Sequence, residues 1–98
     1  MRLVATFQVM AGIAPTFFDQ RGCVTVTRAG PGTYDVRLDT NFAENEVNAN
    51  ATIVGDSVGF INAKTYVLSG QTFIRVNTVD MTNTPTDMDF MVNAVGLR

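Results

Sequence analysis

The sequence predicts an all-β protein, a small antiparallel β-sandwich of the jelly-roll or Ig-like kind. Three observations carry this prediction. Apolar and polar residues alternate in several short runs, Gly- and Pro-containing breaks separate these runs, and no stretch has the periodicity of an amphipathic helix. A period of two places one side of each strand in a core and the other side in water. About seven such strands pack as two sheets.

The N-terminal segment has the pattern of a strand rather than that of a leader peptide. Residues 2–10 place four apolar side chains on one side of an extended chain, namely Leu3, Ala5, Phe7 and Val9. Thr6 and Gln8 interrupt the apolar run that a signal peptide requires. We therefore expect one sandwich domain over residues 1–98, with an N-terminal strand or arm at 1–20 and a core at 21–98. The strand belongs either to its own sandwich or to the edge of a neighbour's sheet.

The clearest element is a β-hairpin over residues 22–39. Glycine and proline in Ala29-Gly-Pro-Gly32 favour a turn, because glycine reaches positive φ freely and proline cannot continue a hydrogen-bonded ladder. The strands on either side alternate apolar residues with threonines or charged residues. This alternation predicts five core side chains: Val24, Val26, Tyr34, Val36 and Leu38.

Four more strands complete the predicted sandwich. Residues 40–45 connect one sheet to the other, and alternation resumes over 46–54. The strands at 60–68 and 72–79 are separated only by Ser69-Gly70, which makes them hairpin neighbours. A polar loop around Pro85 then precedes the last strand, which begins at residue 88.

The composition indicates that a partner covers part of the surface. Charged residues make up 16% of the chain, below the ~25% usual for soluble domains, and hydrophobic residues make up 46%. Some apolar surface is therefore expected to contact another protein or another copy of the chain. The net charge is −2 and the seven basic residues are scattered, which argues against nucleic acid as a partner. No apolar run is long enough to span a membrane.

Catalytic chemistry has little support in the sequence. Histidine, the commonest general base, is absent. The single cysteine, Cys23, excludes an intramolecular disulfide and fits a small packed residue. Ser57 or Ser69 would need Lys64 as a base, and no catalytic motif surrounds them. We therefore predict that the protein is not an enzyme and uses no cofactor.

One group of acidic residues suits a metal ion. Asp80, Asp87 and Asp89 lie around the last loop, and carboxylates are ligands that calcium prefers. Their spacing lacks the repeats of an EF-hand. The alternative is a solvated loop in which these side chains accept hydrogen bonds from nearby backbone N–H groups, and we expect no dependence on metal.

Three segments of the chain carry a family resemblance: Gly22-Cys-Val-Thr-Val-Thr-Arg28, Gly30-Pro-Gly-Thr-Tyr-Asp-Val-Arg-Leu38 and the terminal strand Asp87–Val92. Together they resemble small all-β virion proteins of tailed bacteriophages, over roughly residues 21–95. These proteins are capsid decoration or cement proteins and C-terminal domains of tail fibres, with jelly-roll or C1q-like folds. The resemblance implies a symmetric trimer or dimer on the outer capsid surface of the virion, with the major capsid protein as its partner.

Two functions follow from this resemblance. The first is a viral structural protein, a decoration or cement protein that bridges capsid subunits through many weak contacts. The alternative is a receptor- or saccharide-binding domain of a fibre or spike. A saccharide site usually stacks an aromatic side chain on the sugar, and the chain has no tryptophan and two tyrosines, Tyr34 and Tyr66, which favours the first function. The expected partner interface consists of aromatic anchors and of methionines that bury apolar surface between copies. These residues are Phe17, Phe18, Met81, Met88 and Met91.

Overall fold

The computed structural model describes residues 2–43, 46–56 and 58–96, without the side chain of Arg2. Its eight strands are β1 (Arg2–Met10), β2 (Thr16–Arg21), β3 (Cys23–Gly30), β4 (Thr33–Leu38), β5 (Val47–Ile53), β6 (Gly59–Leu68), β7 (Gln71–Asp80) and β8 (Phe90–Gly96). They form two antiparallel four-stranded sheets, ordered β2-β1-β8-β5 and β3-β4-β7-β6. The predicted all-β sandwich is confirmed, and the described residues contain no α-helix.

The strand pairing is nested. β1 pairs with β8 and β4 pairs with β7, while short turns join β3 to β4 and β6 to β7. The first and last strands therefore lie together at the centre of one sheet. β1 therefore belongs to the chain's own sandwich and contributes Ala5, Phe7 and Val9 to its core.

The core lies between the inner sides of the two sheets. The Tyr34 ring of β4 packs across it against Phe90 of β8, with ring centroids 5.4 Å apart. Each apolar side chain that is fully buried contributes ~1.5–3 kcal/mol relative to an exposed one. The buried hydrophobic residues are Ala5, Phe7, Val9, Cys23, Tyr34, Val36, Leu38, Phe42, Val47, Ile74, Val76, Met88, Phe90, Val92 and Ala94.

Two predicted core positions are wrong because β-bulges shift the alternation. The register changes between Leu3 and Ala5 in β1 and between Cys23 and Thr25 in β3. A bulge sets two residues against one on the neighbouring strand, so the side chains beyond it change sides. As a result Leu3 is 52% exposed and Val24 is 45% exposed. Val26 is half-buried and packs at the edge of the core.

The sequence pattern does not predict β2. Phe17 and Phe18 are adjacent, so they interrupt the alternation of a regular strand. The structure accommodates them with a register shift against β1, in which Phe17 pairs with Val9 and Phe18 is the extra residue. The Phe17 ring packs edge-on against Phe7 at 6.1 Å, whereas Phe18 is 68% exposed. Only one of the two aromatic residues packs inward.

Two tight turns fix how the strands meet. Gly22 has a φ of +82° where the chain passes from one sheet to the other, and a Cβ there would collide with the carbonyl oxygen of Val4. A glycine is therefore required at this corner. Between β6 and β7, Ser69 and Gly70 have φ values of +52° and +75°, as in a two-residue type I′ turn. The predicted β6–β7 hairpin is confirmed.

Candidate functional site

The three aspartates considered as calcium ligands each have partners of their own. Asp80 organises its own loop, and Asp87 binds Arg28 at 3.0 Å. Asp89 accepts a hydrogen bond from the backbone N–H of Ala11 at 2.8 Å. Among the described residues, no three potential ligands come together in a group that could hold a metal ion. The carboxylates therefore have structural roles in the loops at this end of the sandwich.

The Asp80 side chain holds the β7–β8 loop in a compact shape. Its Oδ1 accepts hydrogen bonds from the backbone N–H groups of Thr82 and Thr84, at 2.8 and 3.1 Å, and from the Thr82 hydroxyl at 2.6 Å. These hydrogen bonds favour the carboxylate and lower the pKa of Asp80. Asp80 also donates its backbone N–H to the Thr84 carbonyl oxygen. The loop therefore presents its remaining side chains from a fixed backbone.

Asp87 ties this loop to the β3–β4 hairpin. Its Oδ1 accepts a hydrogen bond from the backbone N–H of Gly32 at 2.7 Å, and both carboxylate oxygens contact the Arg28 guanidinium. Burial acts to raise the pKa of Asp87, but these hydrogen bonds outweigh it and the pKa is lowered. Nearby, the buried hydroxyl of Tyr34 accepts a hydrogen bond from the N–H of Gly12. Burial raises the pKa of that phenol.

The five predicted interface residues differ in how much of each side chain is exposed. Met88 is only 5% exposed and its side chain lies close to Gly59, so little of it is accessible to a partner. Phe17 is half-buried against the core. Met91 is also half-buried and lines a shallow depression of about 70 Å³ on the outer face of the β2-β1-β8-β5 sheet. Phe18 and Met81 remain available, with 68% and 63% exposure.

Met81 belongs to an exposed cluster that the sequence analysis did not identify. Gly59 pairs with Asp80 at the end of the β6–β7 ladder, so Val58 and Met81 flank this last pair. Phe60 pairs with Val79 one step further along. The exposed fractions are 66% for Val58, 59% for Phe60 and 63% for Met81, and we call these three residues the apolar patch. The signal in the sequence that could have identified this cluster is that β6 has apolar residues on both of its sides.

The same sheet has an unusual outer face between this patch and the β6–β7 turn. One row of cross-strand neighbours runs from Arg37 through Phe73 to Tyr66, and the next row runs from Asp35 through Arg75 to Lys64. We call these six residues the basic face. Arg75 holds Asp35 through two hydrogen bonds of 2.8 and 2.9 Å. The carboxylate raises the pKa of Arg75 above its already high ordinary value.

The two tyrosines are poorly placed to stack on a sugar. Tyr34 is fully buried. Phe73 stacks on Tyr66 with centroids 5.2 Å apart and planes 12° from parallel, and the Arg75 guanidinium lies 5.4 Å from the centre of the same ring. A saccharide site requires an open ring face, and these neighbours already occupy the Tyr66 ring. The geometry gives the saccharide alternative no specific support.

Cys23 is the only cysteine, and its environment makes it a poor nucleophile. The side chain is buried, and burial, helped by the nearby Asp39 carboxylate, raises the pKa of the thiol to about 12. The thiolate is therefore scarce at neutral pH. Ser69 lies in the exposed turn between β6 and β7, and the ten residue pairs of the β6–β7 ladder separate it from the other end of β6. Ser57 lies outside the described residues.

The described residues contain no helix of the length and apolarity needed to cross a bilayer. A comparison of the chain with protein-family models, with curated proteins and with solved structures finds no match. The apolar patch and the basic face are therefore interpreted from their own chemistry.

Proposed function

We propose that this protein is a non-catalytic structural module that docks onto another protein through the apolar patch. The observation that carries the proposal is the exposure of Val58, Phe60 and Met81 around the last residue pairs of the β6–β7 ladder. Large apolar side chains grouped at a surface mark contact sites, because covering them removes apolar area from water. An aromatic side chain such as Phe60 buries ~150–250 Å² when it is covered.

The framework favours docking because little order is lost when the partner binds. β6 and β7 pair without a register shift over ten consecutive residue pairs. Asp80 fixes the backbone that follows, so Met81 is presented by a loop with internal hydrogen bonds. Binding groups that are already ordered lose less conformational entropy on association.

The resemblance to bacteriophage virion proteins supplies the setting for this proposal. We place the module on the outer capsid surface, as a decoration or cement protein bound to the major capsid protein. Such a protein occupies many equivalent positions, so weak individual contacts add up to stable decoration. Each copy then needs only a small anchor, such as the three exposed side chains of the apolar patch.

The experiment uses undecorated capsids assembled from a major capsid protein of the kind proposed here as the partner. The variant Phe60→Ser/Met81→Ser is compared with wild type and with Ile13→Ser, which removes a side chain that is 88% exposed elsewhere. We expect co-sedimentation to fall at least tenfold for the double variant and to stay at the wild-type level for Ile13→Ser. Wild-type protein that never co-sediments, or a double variant that binds as wild type does, would contradict the proposal.

A further inference from the structure

The net charge of the basic face is opposite in sign to that of the rest of the molecule. It carries Arg37, Lys64 and Arg75 against the single carboxylate of Asp35, a net charge of +2. Because the whole chain carries −2, the residues outside this face carry −4. Building on the function proposed above, we propose that the basic face binds an acidic surface of the partner protein, with Arg37 and Lys64 as the residues that bind its carboxylates.

The contrast between two neighbouring arginines supports this assignment. Arg75 is satisfied within the chain, since its Nε and Nη2 donate to the two oxygens of Asp35. Arg37 lies on the next row of the same face, and its Nε is buried without a hydrogen-bond partner among the described residues. A guanidinium presents paired donors that match a carboxylate. Because the Nε of Arg37 has no accessible surface, a carboxylate of the partner would bind the Nη groups at the end of this side chain.

Lys64 connects the basic face to the apolar patch. It lies on β6 four residues after Phe60, and both side chains are exposed on the outer side of the strand. At ~3.3 Å per residue, their Cα atoms are about 13 Å apart. The ammonium group has no carboxylate partner in the described part of the chain. A protein surface that covers Phe60 therefore extends far enough to meet Lys64.

An acidic protein surface fits this face better than a nucleic acid does. Single-stranded nucleic acids bind by stacking bases on open aromatic rings along a positively charged groove. Here the Tyr66 ring is already covered by Phe73 and Arg75. Only Arg37 and Lys64 are uncommitted cations on the face, whereas phosphate-dependent binding uses several. Two cations beside an apolar patch suit a partner with a few carboxylates around an apolar contact.

The first test uses poly-L-glutamate as the acidic probe and follows backbone amide chemical shifts at low ionic strength. We expect the shifts to change along β4, β6 and β7, and the changes to disappear at high salt because exposed charges are screened. The variant Arg37→Gln/Lys64→Gln should weaken binding about three- to tenfold, as expected for two ion pairs at the protein surface. The matched control is Arg21→Gln, an exposed arginine on β2 of the other sheet, which should bind as wild type does.

Several outcomes would overturn the inference. Shifts that persist in Arg37→Gln/Lys64→Gln, or that cluster around Arg21, would show that these two residues do not form the site. Tighter binding of an oligo(dT) strand than of poly-L-glutamate at the same face would identify a nucleic-acid partner instead. In the capsid assay, Phe60→Ser/Met81→Ser could lose binding while Arg37→Gln/Lys64→Gln keeps it. That result would support docking through the apolar patch and overturn the inference that the basic face binds an acidic surface. If the protein bound poly-L-glutamate but not the capsid, the basic face would stand as a site for acidic groups and the proposed docking onto the capsid would be contradicted.

Discussion

On their inner sides the two sheets contribute similar apolar side chains to one core, whereas on their outer sides they differ. The outer face of β2-β1-β8-β5 carries mainly hydroxyl and amide groups beside Met91, exemplified by the exposed hydrogen bond from Thr6 to Asn93 at 2.8 Å. The outer face of β3-β4-β7-β6 carries the Arg75–Asp35 ion pair and the stacked rings of Tyr66 and Phe73. On the outer face of β2-β1-β8-β5 the polar side chains are solvated individually, whereas on the outer face of β3-β4-β7-β6 the side chains contact one another in a cluster.

This difference teaches how a small protein prepares a surface for binding. Side chains that already hold one another in position lose little freedom when a partner covers them. In the basic face Asp35 is only 16% exposed although it points outward, because Arg75 covers it. The uncommitted cations Arg37 and Lys64 stand beside this ordered cluster. Of the two outer faces, the basic face is therefore the one whose side chains are better ordered for the binding proposed above.

The largest expected effect concerns the core that the two faces share. Val36→Asp puts a charge at a position with no exposed surface, and an unpaired buried charge costs several kcal/mol. Since the total stability of such a domain is about 5–15 kcal/mol, we expect the variant not to fold. Circular dichroism and urea unfolding measure this. The control is Thr27→Asp, which is exposed on β3 and should fold normally.

The alternation of residues was enough to predict most strands, because it reports directly which side is buried. It predicted Tyr34, Val36 and Leu38 as core residues, and all three are buried. It failed where a bulge adds a residue, as at Val24 and Phe18, because nothing local marks the extra residue. The basic face was not predicted at all, since its residues come from β4, β6 and β7 and meet only through the strand order.

The second prediction separates two adjacent side chains on the edge of the solvated sheet. Phe17→Ser removes the ring that packs on Phe7, and we expect a loss of about 2 kcal/mol because that ring is partly buried. Phe18→Ser changes a side chain that is 68% exposed and should cost less than ~0.5 kcal/mol. Urea unfolding of both variants tests this. A cost for Phe18→Ser as large as that for Phe17→Ser would mean that the bulge is wrongly placed.

The third prediction uses acid to loosen the loops at the end of the sandwich. The pKa of Asp87 is lowered in the folded protein, so its ionised form stabilises the fold above the ordinary aspartate pKa. That contribution is lost as the pH falls through the lowered value, below about pH 4. Asp80 acts in the same direction. We expect the free energy of unfolding to be flat from pH 7 to 5 and to fall at lower pH.

The matched variant for this prediction is Asp87→Asn. It keeps the shape of the side chain but loses the charged hydrogen bonds to Arg28 and Gly32, so we expect about 1–2 kcal/mol lower stability at pH 7. The variant should also lose less stability than wild type between pH 5 and 2. An acid limb equal to that of wild type would show that Asp87 is not the group responsible.

The smallest expected effect tests the comparison of the two outer faces itself. Asp35→Asn removes the charge that Arg75 grips, and we expect a loss of about 0.5–1 kcal/mol at low salt, since Arg75 is 45% exposed and solvent screens the pair. Asn93→Ala removes the exposed hydrogen bond from Thr6 on the other face and should cost less than ~0.5 kcal/mol. The difference between the variants should shrink in high salt, because only the ion pair is screened. Equal losses at every salt concentration would mean that the Arg75–Asp35 pair holds its face no better than a single exposed hydrogen bond, and the basic face would lose its claim to be ordered before binding.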